Sequence, residues 1–396
     1  MEAIKNQAAE IQKLTGGEEH SFFGYYDVQA WDYQDKRHLC HKVEFMDRMP
    51  GPEDEARLGF VDRDTGSFTL LDTTTAWCFQ QGAFLQWNPA GSSQEVFYNI
   101  REGETFKCRI KNIETLEVRE LERPAASLSP NGRQALSINF SRMYDFRPGY
   151  GYAGPEDLWK GENRPEQDGI FTVDTASGKS RLILSLAQIG AFLDSHKSPV
   201  ARGKLLINHI NFNTDGTRFV FLARNFPEPG GSGWGTAVIT ANADGTGLYL
   251  LNDQLYASHY HYRDPDHLLI HAQNHGGAQL YLLEDKSGEA RIVDSAFFLK
   301  DGHCSYSLDR SWILYDSYPD ENSYRHLYLY HIKSGRGKVL ASLYSYAPSI
   351  TDIRCDLHPR WNRSGTAISF DSNHENHRHV YTMELQEVMG FLETKD

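Results

Sequence analysis

The sequence predicts an all-β protein, a single seven-bladed β-propeller with four-stranded blades. The first observation is a recurring phrase in which a histidine is followed, four residues later, by a polar residue that opens a turn. It occurs at His209, His259, His303 and His358, about 50, 44 and 55 residues apart, which is the period of propeller blades. A short apolar run follows each turn, as expected for a hairpin. A second hairpin follows most of the first ones, and two hairpins make one four-stranded blade.

The same turn without its histidine appears three more times near the start of the chain, at Trp31-Asp32, Trp87-Asn88 and Leu128-Ser129. Each precedes an apolar strand, so the full count is seven units. The second hairpins close on glycines, which supply the positive φ of a tight turn: Gly66, Gly178, Gly288 and Gly335. The repeat therefore assigns residues 20–396 to one closed ring.

Two segments lie outside the regular repeat. Residues 1–19 are predicted to form a helical N-terminal segment that packs against the ring or frays. The loop at 147–165 is rich in Gly, Pro and Tyr and is the longest insertion. Long loops of this kind often carry function. A length of 396 residues would allow two or three domains, but no Pro/Ser-rich linker separates them.

Composition restricts the possible partners. The net charge is −13 without a basic run, which argues against nucleic acid, because phosphate binding needs clustered Lys and Arg. No stretch approaches 18 apolar residues, so no membrane span is expected. Five cysteines, an odd number, argue against a full disulfide framework. The polar first residues contain no visible leader, and this fits either a natural start or a removed leader. We expect a monomer without an organic cofactor.

The four repeated histidines occupy equivalent positions, which a propeller would direct towards its central channel. Imidazole suits zinc or a similar divalent ion, so His209, His259, His303 and His358 form one candidate metal site. They would equally form a hydrated, hydrogen-bonded ring along the axis. The sequence leaves both interpretations open.

Residues just before the first strand and just after the second strand of each blade share one face of a propeller. That face is predicted to collect histidines, arginines and tyrosines, mainly from blades 1 to 3: His20, His41, Arg101, Arg142, Tyr144, Arg147, Arg224 and His374. These residue types suit β-elimination on a uronic acid. An arginine or a metal neutralises the carboxylate beside the weakly acidic C5 proton, and His or Tyr groups transfer protons. A glycosidase would instead use two carboxylates, and no such pair is marked out here.

Several motifs resemble one family of propeller enzymes. They are His20–Asp27, Ala76–Gly82, Asn139–Arg142, Arg147–Tyr152, His209–Asn213, Asp301–His303 and Cys355–Trp361. The family comprises ulvan lyases, rhamnose–glucuronate lyases and α-L-rhamnosidase-type glycoside hydrolases of gut bacteria that act on arabinogalactan. The resemblance spans essentially the whole chain, and its motifs are not specific to one activity.

By position, the resemblance to the lyases implies catalytic roles for His20, His41, Arg101 and Tyr144. We expect the substrate-binding residues to be Arg142, Arg147, Tyr150, Arg224 and His374, on the same face. The lyases have a further tyrosine about sixteen residues before the arginine, where this chain reads Gly82–Trp87 without one. This departure leaves the base open, and one histidine could serve as both base and acid. The hydrolase branch uses a single histidine whose place falls near Gln29.

The expected function is cleavage of the linkage between a terminal sugar, L-rhamnose by resemblance, and glucuronic acid in a complex polysaccharide such as arabinogalactan, by β-elimination. Two alternatives remain: an exo-α-L-rhamnosidase-type hydrolase and a non-catalytic carbohydrate-binding propeller. The expected partner is a uronic-acid-containing oligo- or polysaccharide. The expected location is periplasmic or secreted.

Overall fold

The computed structural model describes residues 2–91, 94–227, 231 and 233–394. It confirms the predicted seven-bladed β-propeller, because seven antiparallel sheets of four or five strands follow one another along the chain. In each blade the first strand lies innermost, and the following strands step outwards. Among the described residues, no helix is long and apolar enough to cross a membrane.

The N-terminal half of the chain builds the first three blades. Two short strands come first: β1 (Ile4–Lys5) and β2 (Ile11–Lys13). Blade 1 follows: β3 (His20–Phe22), β4 (Arg37–Val43), β5 (Ala56–Asp62) and β6 (Phe68–Thr74). Blade 2 comprises β7 (Gln86–Trp87), β8 (Glu95–Glu102), β9 (Thr105–Asn112) and β10 (Val118–Leu121). Blade 3 comprises β11 (Ser127–Leu128), β12 (Gln134–Ser137), β13 (Gly169–Asp174) and β14 (Ser180–Ser185).

The C-terminal half builds the other four. Blade 4 comprises β15 (Leu205–Phe212), β16 (Arg218–Asn225), β17 (Thr236–Asn242) and β18 (Tyr249–Asn252). Blade 5 comprises β19 (Ala257–Tyr262), β20 (His267–Asn274), β21 (Gly277–Glu284) and β22 (Ala290–Ile292). Blade 6 comprises β23 (Cys304–Tyr306), β24 (Trp312–Asp316), β25 (Tyr324–His331) and β26 (Arg336–Tyr344). Blade 7 comprises β27 (Arg360–Trp361), β28 (Ala367–Ser372) and β29 (His379–Glu384).

The N-terminal strands close the ring. Strand β2 pairs with β29 as the fourth strand of blade 7, and β1 pairs with β26 as a fifth strand of blade 6. The prediction of a helical segment over residues 1–19 is therefore wrong. The helix-forming residue types of this segment are overridden by the unpaired edges of two sheets, which offer a row of backbone hydrogen-bonding groups.

In the part of the chain that the structure describes, three helices and two 3₁₀ turns connect or follow the strands: α1 (Phe140–Phe146), α2 (Leu186–Ser195), α3 (Gln386–Glu393), Pro199–Ala201 and Thr351–Ile353. Helix α1 begins at Asn139, whose side chain accepts a hydrogen bond from the Arg142 backbone N–H. It lies between β12 and β13, at the start of the long insertion predicted from the sequence. This helix delivers Arg147 to the face of the ring where the first strands begin.

The repeated phrase has a structural cause. Its polar residue caps the hairpin between the first and second strands; Asn362 Oδ1, for example, accepts the backbone N–H groups of Thr366 and Ala367. Two of its histidines, His209 and His259, lie at register shifts within the first strands β15 and β19. His209 has a φ of +49° beside a register shift, and His358 has a φ of +43°. A bulge re-aims a side chain, here towards the channel.

Candidate functional site

A cavity of about 740 Å³ opens at the mouth of the channel where first strands begin and second strands end. We call it the upper cavity. Its lining side chains include Arg147, Arg224, Trp234, Tyr256, Asp301, Tyr318, Arg325 and Arg354. The cavity lies on the face that the sequence analysis singled out, but its lining residues come mainly from blades 4 to 7, whereas the sequence directed attention to blades 1 to 3. Four arginines around one cavity make it suited to an anionic ligand.

Three of the four arginines are already paired with carboxylates. Arg147 Nε lies 3.0 Å from Asp352, and the Asp356 carboxylate lies 2.7 Å from Arg325 Nη1 and 2.8 Å from Arg354 Nη2. The pairs of Arg325 and Arg354 with Asp356 are buried and costly to break, whereas Arg147 and Asp352 are partly exposed. All three guanidinium groups are held by these carboxylates. They shape the cavity and contribute a fixed positive field.

Arg224 is different, because it forms no ion pair with any of the described residues. Its Nε donates to Thr236 Oγ1 at 3.2 Å, and its Nη2 donates to the Ala257 carbonyl at 3.4 Å. Burial, followed by the positive charge of Arg147, lowers the pKa of Arg224 to about 10. A carboxylate bound in the upper cavity would supply the missing counter-charge, in the bidentate geometry that guanidinium favours.

Two histidines of the repeat meet beneath the upper cavity. His303 Nδ1 donates to the Asp316 carboxylate at 2.9 Å, and His358 Nδ1 donates to the Gly24 carbonyl at 2.7 Å. Their Nε2 atoms then face each other at 3.1 Å. Metal-binding imidazoles characteristically donate their other N–H to a carboxylate or a carbonyl. A proton between the two Nε2 atoms or a cation bound by both would satisfy this arrangement.

Asp356 completes a candidate metal group with these histidines. One ligand atom from each of His303, Asp356 and His358 lies within 4.8 Å of the others, and all three residues are buried. Burial alone would raise the pKa of Asp356, but Arg354 and Arg325 outweigh it and keep the pKa well below its usual range. Two imidazoles and one ionised carboxylate form a donor set that suits a divalent transition metal. These residues therefore fit the predicted ion.

The other two histidines of the predicted metal set stand outside this group. His209 accepts from Gln81 at Nδ1, and its Nε2 lies 3.1 Å from the Tyr25 hydroxyl. Tyr25 stacks on the His209 ring at 5.0 Å and so separates it from blades 6 and 7. His259 contacts His303 but directs its Nδ1 to Asp301. The prediction of four equivalent ligands is corrected to two histidines and Asp356.

Tyr256, Asp301 and Tyr318, which line the upper cavity, are candidate proton-transfer groups, and His259 contacts both Asp301 and His303. The Asp301 carboxylate accepts from the Tyr256 hydroxyl at 2.9 Å and from His259 Nδ1 at 3.1 Å, which leaves His259 Nε2 as an acceptor. The Tyr318 ring lies 5.9 Å from the His259 ring. Burial, with the Asp356 charge next, raises the pKa of Tyr318 well above its usual value, so its hydroxyl stays protonated.

None of the four residues predicted to be catalytic lines the upper cavity. His41 is fully buried, and its Nε2 accepts the Ala83 backbone N–H at 2.9 Å. His20 lies beside His377, with 5.1 Å between the rings. Arg101 Nη1 donates to the Pro52 carbonyl at 2.6 Å, and Tyr144 lies on α1. Their catalytic roles stay predictions, and the geometry does not bring them together.

The residues predicted to bind substrate divide into two groups. Arg147 and Arg224 line the upper cavity, and Tyr150 lies behind it, accepting from Arg354 Nη2 at 3.0 Å. Arg142 is buried, pairs with Asp157 and donates to four backbone carbonyls. His374 Nδ1 contacts Ser372 Oγ at 2.8 Å, away from the cavity. For Arg142 the structure assigns a structural role, because its donors are already satisfied.

Sequence reasoning did not assign a role to Tyr256, Asp301, Tyr318, Arg325 or Asp356. One signal was present for the two acids. Each lies two residues before a histidine of the phrase, in Asp301-Gly-His303 and Asp356-Leu-His358. The other three lie outside any motif, and only the folded ring brings them to the same mouth.

No protein-family model matches the sequence, and no curated protein matches it. Solved structures do. An oligogalacturonate lyase in complex with manganese superposes with a TM-score of 0.68 at 15% identity, covering 98% of this chain and 96% of that chain. An oligogalacturonate lyase from Vibrio parahaemolyticus gives 0.67 at 12% identity, covering 97% and 96%. The β-propeller domain of the Trilobed protease from Pyrococcus furiosus gives 0.51 at 10% identity, covering 88% and 89%.

At these identities the similarity establishes the propeller fold. None of the three proteins is an ulvan lyase or a rhamnose–glucuronate lyase, so that narrower resemblance stays a prediction. A domain of a protease has a similar propeller fold, and function must therefore be argued from the site.

Proposed function

We propose that this protein is a lyase that cleaves a uronic-acid-containing oligosaccharide by β-elimination in the upper cavity. One observation carries the proposal: Arg224 is a buried guanidinium without a carboxylate partner among the described residues, and it lines the same cavity as Asp301 and Tyr318. The two oligogalacturonate lyases of similar fold, one of them in complex with manganese, support this chemistry.

The chain's own residues supply the steps. Arg224 binds the uronate carboxylate and stabilises the charge that develops when the C5 proton leaves. His259 Nε2, oriented by the Asp301 hydrogen bond, accepts that proton. The C4–O4 bond then breaks, and the protonated Tyr318 hydroxyl delivers a proton to the departing oxygen. His303, Asp356 and His358 would hold a divalent cation, which would supply further Lewis-acid neutralisation of the carboxylate.

The proposed substrate class is an oligosaccharide containing galacturonate or glucuronate. The sequence prediction of a rhamnose–glucuronate linkage is the narrower candidate within this class, and a periplasmic or secreted location remains part of the proposal. Both linkages place a leaving oxygen β to the uronate carboxylate when the sugar is substituted at C4. The substrate panel therefore includes oligogalacturonides and rhamnosyl-glucuronic oligosaccharides.

The test measures the ultraviolet absorbance of the unsaturated uronate product for both substrates. Arg224→Ala should lower kcat/KM by about 10²–10³, because it removes a preorganised charge from the transition state. Arg133→Ala is the matched control, since Arg133 is exposed on a turn of blade 3. Products that gain the mass of water and lack the chromophore would assign the protein to the hydrolases. Carbohydrate binding without turnover would favour the non-catalytic alternative.

A further inference from the structure

A second cavity, of about 440 Å³, lies at the opposite mouth of the channel, where the hairpins join first and second strands. We call it the lower cavity. Tyr26 lines it. Together with His209 and His303, Tyr25 and Tyr26 fill the channel between the two cavities. Its volume lies within the range of small-ligand sites. The proposed function makes no use of this cavity.

Several aromatic rings line the lower cavity besides Tyr26. They come from the first strands of blades 4 to 7: Phe212, Tyr260, Tyr262, Tyr306 and Trp361. Ligand cavities combine such rings with a few placed polar groups. The apolar C–H face of a sugar ring packs well against aromatic rings of this kind.

Four residues that line the lower cavity carry a buried polar atom that has no hydrogen-bond partner among the described residues. These atoms are Tyr262 Oη, Ser305 Oγ, Arg360 Nη1 and Trp361 Nε1. The remaining nitrogens of Arg360 are occupied, Nε by Ser369 and Nη2 by Asp371. Buried polar groups in native proteins are nearly always hydrogen-bonded, so four unpaired groups around one cavity indicate a missing polar partner.

Charge is distributed unevenly along the lower cavity. Arg310 and Arg363 line it, and neither guanidinium forms an ion pair with any of the described residues; each donates only to a backbone carbonyl, of Ser307 and Trp31 respectively. Asp27 follows directly after Tyr25 and Tyr26 and therefore lies at the inner end. A ligand that matches both ends has a carboxylate on one side and hydroxyl groups on the other.

We propose that the lower cavity is a second, non-catalytic binding site for a carboxylated sugar residue. The choice of a uronate as that sugar rests on the proposed function of the upper cavity. The carboxylate lies towards Arg310 and Arg363, the ring packs on Trp361, and hydroxyl groups meet Asp27 and Tyr262. The site anchors a uronate-rich polysaccharide at the face opposite the cleavage site.

The test is isothermal titration of the full chain with D-galacturonate, which has no glycosidic bond and so cannot be turned over. The native protein should bind at two sites. Arg224→Ala should remove the upper site alone. Arg310→Ala should weaken the lower site by about tenfold or more, because a charge-assisted hydrogen bond is lost. Arg133→Ala, on the same face outside the cavity, should change neither.

Other ligands define the outcomes that overturn the proposal. Acetate binding as tightly as galacturonate would mean a bare anion site, and galactose binding as tightly would mean a site without carboxylate recognition. A single galacturonate site that survives Arg310→Ala, together with normal turnover, would refute the lower site alone. Two galacturonate sites in a protein that forms no unsaturated product would refute the proposed function and retain the lower site.

Discussion

Arg142 allows a direct test of whether a buried arginine in this propeller contacts substrate or stabilises the fold. The sequence predicts a substrate contact, whereas the structure surrounds this side chain with protein. Its Nη1 lies 2.9 Å from Asp157 Oδ2, and the two side chains are only 2% and 0% exposed. Further donors reach the carbonyls of Leu205, Trp159, Glu162 and Asn163. The guanidinium thus joins α1 and the long insertion to the first strand of blade 4.

Removing Arg142 leaves a buried, uncompensated carboxylate. Breaking one partner of such a pair costs about 3–5 kcal/mol. The carbonyls that lose a donor add to this cost, at about 1 kcal/mol for a typical hydrogen bond. We therefore expect Arg142→Met to lower the free energy of unfolding by at least about 4 kcal/mol, in proteins whose whole stability is typically 5–15 kcal/mol.

Urea unfolding, followed by intrinsic fluorescence, measures this loss. The double variant Arg142→Met with Asp157→Leu should be more stable than Arg142→Met alone, because the stranded charge is gone. Arg133→Ala should stay within about 0.5 kcal/mol of the native protein. An Arg142→Met protein of native stability that fails to bind uronate would refute this reasoning and restore the substrate contact.

Two further predictions concern the channel. Treatment with a chelator should lower the urea midpoint of unfolding, and added Mn²⁺ should restore it, with about 2.7 kcal/mol of stability regained at a hundredfold excess over Kd. Elemental analysis should find about one ion per chain in the native protein and none in His303→Ala. A native protein that contains no metal and keeps its midpoint after chelation would contradict the site. Burial raises the pKa of Asp27 to about 6, although a hydrogen bond from Asn211 opposes it. Because the folded state then holds the proton more tightly, stability falls as the pH rises from about 4 through 6. Above pH 6, Asp27→Asn should be more stable than the native protein by up to about 3 kcal/mol, and below pH 4 the two should be equally stable. Equal stabilities of the two proteins at every pH would refute the raised pKa of Asp27.

The ring itself could be predicted because each blade repeats the same local chemistry. A capping residue such as Asn362 or Ser307 satisfies the first backbone N–H of the second strand in its own hairpin, so the signal lies within a few residues. Closure could not be predicted in this way. Strand β2 has an exposed, polar sequence and becomes a strand only because β29 offers it an edge nearly 370 residues away.

The candidate site was only partly predictable for the same reason. The phrase correctly directs His303 and His358 to the channel, but the repeat treats all seven blades as equivalent. In blades 6 and 7 an acid lies two residues before the histidine, Asp301 before His303 and Asp356 before His358. His303 is also bound by a carboxylate from another strand. Asp316, on β24, binds His303 Nδ1 and the backbone N–H of both His303 and His358.

Histidines at equivalent positions of the repeat therefore differ in function because their hydrogen-bond partners differ from blade to blade. His209 and His358 share the phrase and a positive φ, yet Tyr25 engages the first by its hydroxyl, and the Gly24 carbonyl fixes the second by its Nδ1. Both groups belong to the connection between β3 and β4, residues 23–36, which is longer than the connections between the first and second strands of the other blades. The connection from blade 1 thus holds His209 in a hydrogen bond with Tyr25 and orients His358 as a potential metal ligand, whereas Asp301 and Asp316 orient His259 and His303. The identity of the site depends on these partners as much as on the histidines themselves.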